Sequence, residues 1–347
     1  MTINTDLFES LLQSITNKTI AIVYIFENED SPGYEHYDIW KGDVISEWLN
    51  AIQQLKCTPY ILDLKTFINQ AMNKTLPDID VVINLNNGTT VLSTLSLVPS
   101  VCSFLDIPCI PCNAEAIIAG ENKYFANSIA RTNELILPNN STVSGETIFR
   151  PFNYGSSHGV VRNATSISDQ GINQEFIKGY DITTPILFNP VTSELEVLPT
   201  IMYYPENKDV NWFFNAQVKE TRGGYKKAIL KVDEETCSKF IKLAISLKIN
   251  TYCRIDSRIK CNSADEWDAL FLSPIDFNKI HFIEINPMPT LKQNINFYNS
   301  IEALDKSNPI HSLYELFKTN IGNSSPIGFI LFCSLLRLKP RIEEKRI

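Results

Sequence analysis

The 347-residue chain predicts an α/β protein built from several lobes. Three observations lead there. Apolar, β-branched runs alternate with helix-spaced apolar positions through the first third of the chain, which is the order of a doubly wound α/β lobe. Short strands separated by a loop of small residues then dominate the middle. Two late strands, 252–256 and 281–286, carry charged or amide side chains two residues apart, and this spacing puts them on one face of a sheet.

The elements follow in order. Positions 19–26 form an apolar run with the pattern of a buried parallel strand. Val44, Trp48, Ile52 and Leu55 recur at helical spacing. Further strands are expected at 58–62 and 79–85, and the first lobe is assigned 1–118. Positions 115–134 read as one helix containing Lys123, followed by the loop Pro138-Asn139-Asn140-Ser141. Strands are expected at 147–151, 159–162 and 183–188 within a central lobe, 119–190. The turn-forming residues 153–157 lie between the first two of them. Strands at 198–203 and 228–232 flank the polar segment 206–225. Gly223-Gly224 lies near the end of that segment, which suits a flexible lid over a site. Cys237, Phe240, Ile241, Ala244 and Leu247 share a helical face, and the third lobe is assigned 191–317. Residues 318–347 form an extension with an apolar run at 327–336 and a charged end. It reads as a helix packed on the surface or in a dimer contact, with a docking segment as the sharper alternative.

Composition narrows the function classes. Apolar residues at 44% and charged residues at 20% describe an ordered globular chain. The net charge of −8, from 31 basic and 39 acidic side chains without a long basic block, argues against a nucleic-acid partner. The start lacks the pattern of a signal peptide, and the run at 327–336 is too short to span a bilayer, so no membrane partner is expected. Eight scattered cysteines fit reduced thiols in a cytoplasm. Cys109-Ile110-Pro111-Cys112 lacks a second ligand pair and reads as structural.

The chemistry concentrates late in the chain. Glu284 and Asn286 offer a carboxylate and an amide oxygen, a set that suits Mg²⁺ shared with substrate phosphates. Arg254 and Asp256 repeat the spacing about 28 residues earlier and add a second carboxylate beside a cation. The bland reading is polar ends of buried strands, with Arg254 paired to Asp256. Gly155-Ser156-Ser157-His158-Gly159 supplies N–H groups and hydroxyls without bulk, as a phosphate-wrapping loop does, or it is a plain turn.

Taken in order from residue 20 to residue 317, these motifs resemble the ATP-grasp superfamily, and most its D-alanine–D-alanine ligase branch. Asn122-Lys123 resembles its Asp-Lys, whose lysine contacts ATP phosphates. Arg150-Pro151 followed by Gly155-Ser156-Ser157-His158-Gly159 resembles its Lys-Pro…Gly-Ser-Ser-x-Gly loop. Arginine replaces the usual lysine there, and its planar fork is not equivalent to an ammonium. Gln174, Glu175, Phe176, Ile177 and Asp181 look like its adenine and ribose segment, and Lys219 falls where the family has a lid lysine. Arg254, Asp256, Glu284 and Asn286 match its arginine and Mg²⁺ ligands, and the N–H of Thr290 stands where a family glycine assists the oxyanion. The resemblance therefore implies an ATP-grasp fold and ATP bound by Lys123, Arg150, Gly155, Ser156, Ser157, Gln174, Glu175, Phe176, Ile177, Asp181 and Lys219. It also implies one or two Mg²⁺ (or Mn²⁺) on Asp256, Glu284 and Asn286, catalysis by Arg254, Lys219 and Ser157, and a homodimer.

The amino-acid half departs from that branch. Residues 26–35 lack its glycine-rich start, residues 84–90 replace its His-Gly…Glu-Asp-Gly loop, Thr290 replaces a glycine, and Ile295 replaces a serine. The expectation is an ATP-dependent carboxylate–amine ligase acting on other amino acids or a short peptide, in specialised biosynthesis rather than wall synthesis. Two alternatives stay open: a nucleotide-binding module that has lost catalysis, and a ligase whose substrate is held by a carrier protein.

Overall fold

The computed structural model describes residues 3–25, 42–86, 92–140, 146–153, 157, 159–163, 170–221, 223–291, 296–322 and 326–344. In the first lobe α1 (Thr5–Gln13), β1 (Thr19–Tyr24), α2 (Gly42–Gln54), β2 (Thr58–Asp63), α3 (Leu64–Met72), β3 (Val81–Leu85), α4 (Leu92–Leu95), α5 (Leu97–Phe104) and β4 (Cys109–Ile110) succeed one another. Their strands form a parallel sheet in the order β2-β1-β3-β4. Ile20 to Val23 of β1 are wholly buried, as expected of a central parallel strand covered on both faces.

Where the sequence suggests a single helix over 115–134, there are two, α6 (Ala114–Glu121) and α7 (Lys123–Thr132). Asn122 breaks them at φ −85° and ψ 111°. Its Oδ1 accepts from the N–H groups of Tyr124 (3.0 Å) and Phe125 (3.1 Å), and its Nδ2 donates to Asn153 Oδ1 at 2.8 Å. A short amide side chain offers the backbone this alternative to a continuous helix. Lys123 is thereby set at a helix N-terminus.

The central lobe holds β5 (Thr147–Pro151), β6 (Val161–Arg162) and β7 (Gly171–Glu175), an antiparallel sheet ordered β6-β5-β7. The next elements are β8 (Gly179–Asn189), β9 (Glu194–Val197), β10 (Thr200–Tyr204), α8 (Ala216–Glu220), β11 (Lys226–Leu230), α9 (Glu234–Ser246), β12 (Tyr252–Lys260) and β13 (Ile280–Asn286). These strands form an antiparallel sheet, β11-β10-β8-β12-β13, with β9 on β8. The long β8 starts at Gly179, whose φ is +134° and where a Cβ would stand 1.8 Å from the Ile259 carbonyl oxygen, so this pairing requires glycine.

The chain closes with α10 (Asn296–Glu302), α11 (Pro309–Ile321) and α12 (Pro326–Glu344). Their placement corrects the reading of the tail. Ile327 and Phe329 to Cys333 are wholly buried in one cluster with Phe8, Trp48 and Phe317. The apolar run is thus part of the first lobe's core, packed on α2, and not a surface helix or an available dock. Residues 317 and 318 both lie inside α11. Among the described residues no single helix is long and apolar enough to cross a membrane.

Candidate active site

The β12–β13 ladder sets Asp256 opposite Glu284 and Arg254 opposite Asn286. The four side chains expected to share a face do share it. Arg254 donates to Asp256 twice, Nε to Oδ1 at 2.9 Å and Nη2 to Oδ2 at 2.7 Å. Asn286 Nδ2 donates to Asp256 Oδ2 at 2.8 Å, and Thr183 Oγ1 on the neighbouring β8 donates to Oδ1. A carboxylate has about four acceptor positions, so all those of Asp256 are filled.

Glu284 faces the start of α7, where Lys123 Nζ lies 3.3 Å from its Oε2. Burial opposes its ionisation, but the charges of Lys123, Arg150, Lys219 and Arg254 outweigh it and hold Glu284 below the usual carboxylate range. Burial likewise works against the charge of Arg254, and Asp256 more than offsets it, so its pKa is raised. The residues present fit a hard cation through Glu284 and the Oδ1 of Asn286. Asp256 would add a ligand only after giving up one of its donors.

Arg150 is buried on β5. Its Nη1 donates to the Ile283 carbonyl at 2.7 Å and its Nη2 to Gln174 Oε1 at 2.6 Å, while its Nε has no partner among the described residues. Desolvation lowers its pKa. Gln174 Nε2 donates to the Pro138 carbonyl at 3.1 Å, and Glu175 Oε1 accepts from Asn139 N at 3.0 Å and Nδ2 at 2.8 Å. Arg150, Gln174, Glu175, Phe176, Ile177 and Asp181 converge on a mostly apolar cleft.

Asp181 is held by Arg258, Nη1 to Oδ2 at 2.5 Å, and its Oδ2 also accepts from Phe214 N at 3.1 Å. The guanidinium carbons of Arg162 and Arg258 lie 4.0 Å and 4.7 Å from the centroid of the Phe176 ring. Arg258 was not among the expected site residues, although it extends the Arg254–Asp256 alternation by one more step along β12.

The lid segment contains α8, capped by Asn215, and brings Lys219 Nζ to 2.8 Å from Ser157 Oγ. Lys219 is exposed, and desolvation by the protein around it lowers its pKa. Phe214 stacks on Tyr203 with centroids 4.4 Å apart and meets Tyr225 at 4.8 Å, which gives the lid an aromatic floor. A second residue outside the expected set is Glu121. Burial and the Glu284 charge raise its pKa to about 7, against the opposing pull of Lys123 and Arg254. Nothing in the sequence marks it beyond its place before Asn122-Lys123.

Gly155, Ser156, His158, Ile295, and segments 26–35 and 87–90 lie outside the described residues. Asn84 and Asn86, at the head of the altered loop, are fully buried, and Asn86 Nδ2 donates to the Thr94 carbonyl at 2.6 Å. Cys112 is buried, with its thiol pKa pushed well up by desolvation, as suits an inert core cysteine.

A parallel α/β lobe followed by two antiparallel sheets that enclose this cleft defines the ATP-grasp fold. The chain is similar to the D-alanine–D-alanine ligase of Bacillus anthracis solved with ATP, at a TM-score of 0.57 and 14% identity over 94% of this chain and 99% of that one. It is also similar to D-alanyl-alanine synthetase A of Vibrio cholerae O1 biovar eltor (0.57 and 14%, over 89% of this chain and 99% of that one). The VanG D-Ala:D-Ser ligase of Enterococcus faecalis gives 0.54 and 13%, over 87% of this chain and 100% of that one. No family model and no curated protein matches the sequence.

Proposed function

We propose that the protein is an ATP-dependent carboxylate–amine ligase that forms an amide through an acyl phosphate and releases ADP and phosphate. One observation carries this reading: Lys123 Nζ lies 3.3 Å from Glu284, and four cations, Lys123, Arg150, Lys219 and Arg254, act on that carboxylate, outnumbering the acidic groups Glu121, Asp256 and Glu284 around them. That local excess of positive charge is what a polyphosphate would neutralise. The fold shared with enzymes named D-alanine–D-alanine and D-Ala:D-Ser ligases supports it.

In this reading the adenine enters the cleft beside Gln174, Glu175, Phe176 and Ile177, and the ribose meets Asp181, which Arg258 orients. Lys123, Lys219 and Ser157 contact the phosphates, with Gly155 and Ser156 assigned to the same loop by their motif alone, and Arg150 offers its unpaired Nε at the cleft wall. Glu284 and Asn286, with Asp256 after a donor leaves, would hold Mg²⁺, which when bound neutralises charge on the phosphates. The substrate carboxylate attacks the γ-phosphorus, the bond to the β-phosphate oxygen breaks, and ADP leaves. The neutral amine then attacks the acyl carbon, the carbon–oxygen bond to the phosphoryl group breaks, and inorganic phosphate leaves. Arg254 faces the oxyanion that develops there and stabilises it more than the ground state. The departures from the wall ligases favour other amino acids or a short peptide as substrates, used in the cytoplasm by a homodimer.

The test is Mg²⁺-dependent ADP release against L- and D-amino acids, alone and in pairs, with Glu284→Gln as the control. ADP that requires a pair and vanishes in the variant supports the ligase. ATP binding without ADP from any pair sinks it for free amino acids. That second outcome leaves a ligase whose substrate is held by a carrier protein or the nucleotide-binding module, and one observation favours the module: the filled acceptor positions of Asp256.

A further inference from the structure

The register of β5 on β7 pairs Ile148 with Gln174 and Arg150 with Ile172, so Ile148, Arg150 and Gln174 share one face of the central sheet. All three line the apolar cleft. Gln174 is wholly buried and Arg150 is 4% exposed. One orientation of the Gln174 amide satisfies both of its neighbours. The Pro138 carbonyl can only accept and the Arg150 guanidinium can only donate, so Nε2 faces the first at 3.1 Å and Oε1 the second at 2.6 Å.

Other acceptors around the cleft are engaged too. The Ile283 carbonyl takes Arg150 Nη1 at 2.7 Å, the Ile177 carbonyl takes Arg258 Nε, and Glu175 Oε1 takes N and Nδ2 of Asn139. The group left over is a donor, Arg150 Nε, which is buried without a partner among the described residues. Burial works against the arginine charge and Glu284 supports it, but that carboxylate already meets Lys123 at 3.3 Å. This wall of the cleft therefore lacks an acceptor, and a ligand can bring one.

Purines differ in what they bring. At N7 and position 6, adenine presents one acceptor and a donor amine, whereas a 6-oxopurine presents two acceptors. A guanidinium has five N–H groups in a planar fork, so Arg150 keeps others beside Nε after its bonds to Ile283 and Gln174. That fork matches adjacent O6 and N7. An amine in the same place would meet donors, and its own N–H groups would stay unpaired at a desolvation cost.

We infer that this cleft prefers a 6-oxopurine nucleoside triphosphate, the class of GTP and ITP, to ATP, with Arg150 reading the base and Gln174 holding Arg150 in place. The inference rests on the nucleotide reading of the cleft given above. It widens the phosphate donor of the proposed ligase to the oxopurine triphosphates and leaves ATP the weaker ligand.

The experiment is equilibrium binding by calorimetry with Mg²⁺ present, using ATP, ITP and purine riboside triphosphate. ITP differs from ATP only at position 6 and the adjoining N1. It should bind about fivefold or more tightly, the low end of the discrimination that a bidentate arginine–oxopurine contact gives. Purine riboside triphosphate lacks the amine and keeps N1 as an acceptor, so it should bind at least as tightly as ATP. Arg150→Lys removes the fork and frees Gln174 Oε1 to accept from the amine, and it should move the ITP-to-ATP ratio toward ATP by about fivefold or more. The ratio cancels any general loss of phosphate binding. ITP that falls short of its margin in the unsubstituted protein overturns the inference. So does weaker binding of purine riboside triphosphate than of ATP, or a ratio unmoved in the folded variant. If none of the three binds, the nucleotide reading itself fails and the inference falls with it, whereas tight ATP with weak ITP leaves that reading standing.

Discussion

Arg254 holds Asp256 by two hydrogen bonds along one strand face, at 2.9 Å and 2.7 Å, and with Thr183 and Asn286 it fills the acceptor positions of that carboxylate. Arginine and metal therefore compete for Asp256. Arg254→Ala should lower ADP release by about 10²–10³-fold, the cost of removing an oxyanion donor. It should also lower the half-saturating Mg²⁺, because two acceptor positions open and a nearby positive charge is lost. A Mg²⁺ titration of ADP release in the variant checks both. An unchanged or higher Mg²⁺ requirement would show that the two do not compete.

Asn122 links the helix break to the nucleotide site. Its Oδ1 caps two N–H groups of α7 and its Nδ2 reaches Asn153, while Lys123 beside it reaches Glu284. Asn122→Ala should cost about 0.5–2 kcal/mol of stability through the lost cap. The KM for ATP should rise, because the fray begins at Lys123. Asn122→Asp keeps the cap and favours the helix dipole but loses the bond donated to Asn153, so it should retain more stability than the alanine variant. Denaturant melts and ATP kinetics on both variants test this.

Much of the site could be read from the sequence because strand periodicity is strict. Arg254, Asp256, Glu284 and Asn286 had to share a face once 252–256 and 281–286 paired. The α6–α7 break could not be read from apolar spacing, since Asn122 interrupts the helix through its own side chain while the apolar pattern continues. β7 escaped because Gly171–Glu175 is mostly polar without clear alternation, and β9 because its alternating Glu-Leu-Glu-Val pattern lasts only four residues. The burial of α12 was hidden for a different reason. An apolar run of that length reads the same on a surface groove as in a core, and here the first lobe supplies the covering face. Arg258 and Glu121 depend on contacts between elements distant in sequence, Asp181 with β12 and α6 with the turn after β13.

Gly120 tests whether that close approach positions the site. A Cβ there would overlap Pro287 Cγ at 2.3 Å, and the clash is with a ring that cannot swing away as a flexible side chain does. Gly120→Ala should destabilise the fold by about 1–3 kcal/mol as overpacking, although alanine favours helix elsewhere. It should also reduce ADP release, because Lys123 and Glu284 sit on the two pieces forced apart. A variant with unchanged melting and unchanged turnover would show that the turn after β13 yields freely.

Glu121 adds a pH dependence whose direction follows from its cause. Burial and Glu284 raise its pKa from 4.5 to about 7, so between those values the folded protein binds more protons than the unfolded chain. Stability therefore falls as pH rises through that window, and the penalty is fully present above it. In nucleotide-free protein with chelator, Glu121→Gln should leave the Tm unchanged near pH 4 and raise it progressively to a plateau by about pH 8. Thermal melts across that range decide the matter. A Tm difference that is constant with pH would mean that Glu121 is solvated and ionises normally.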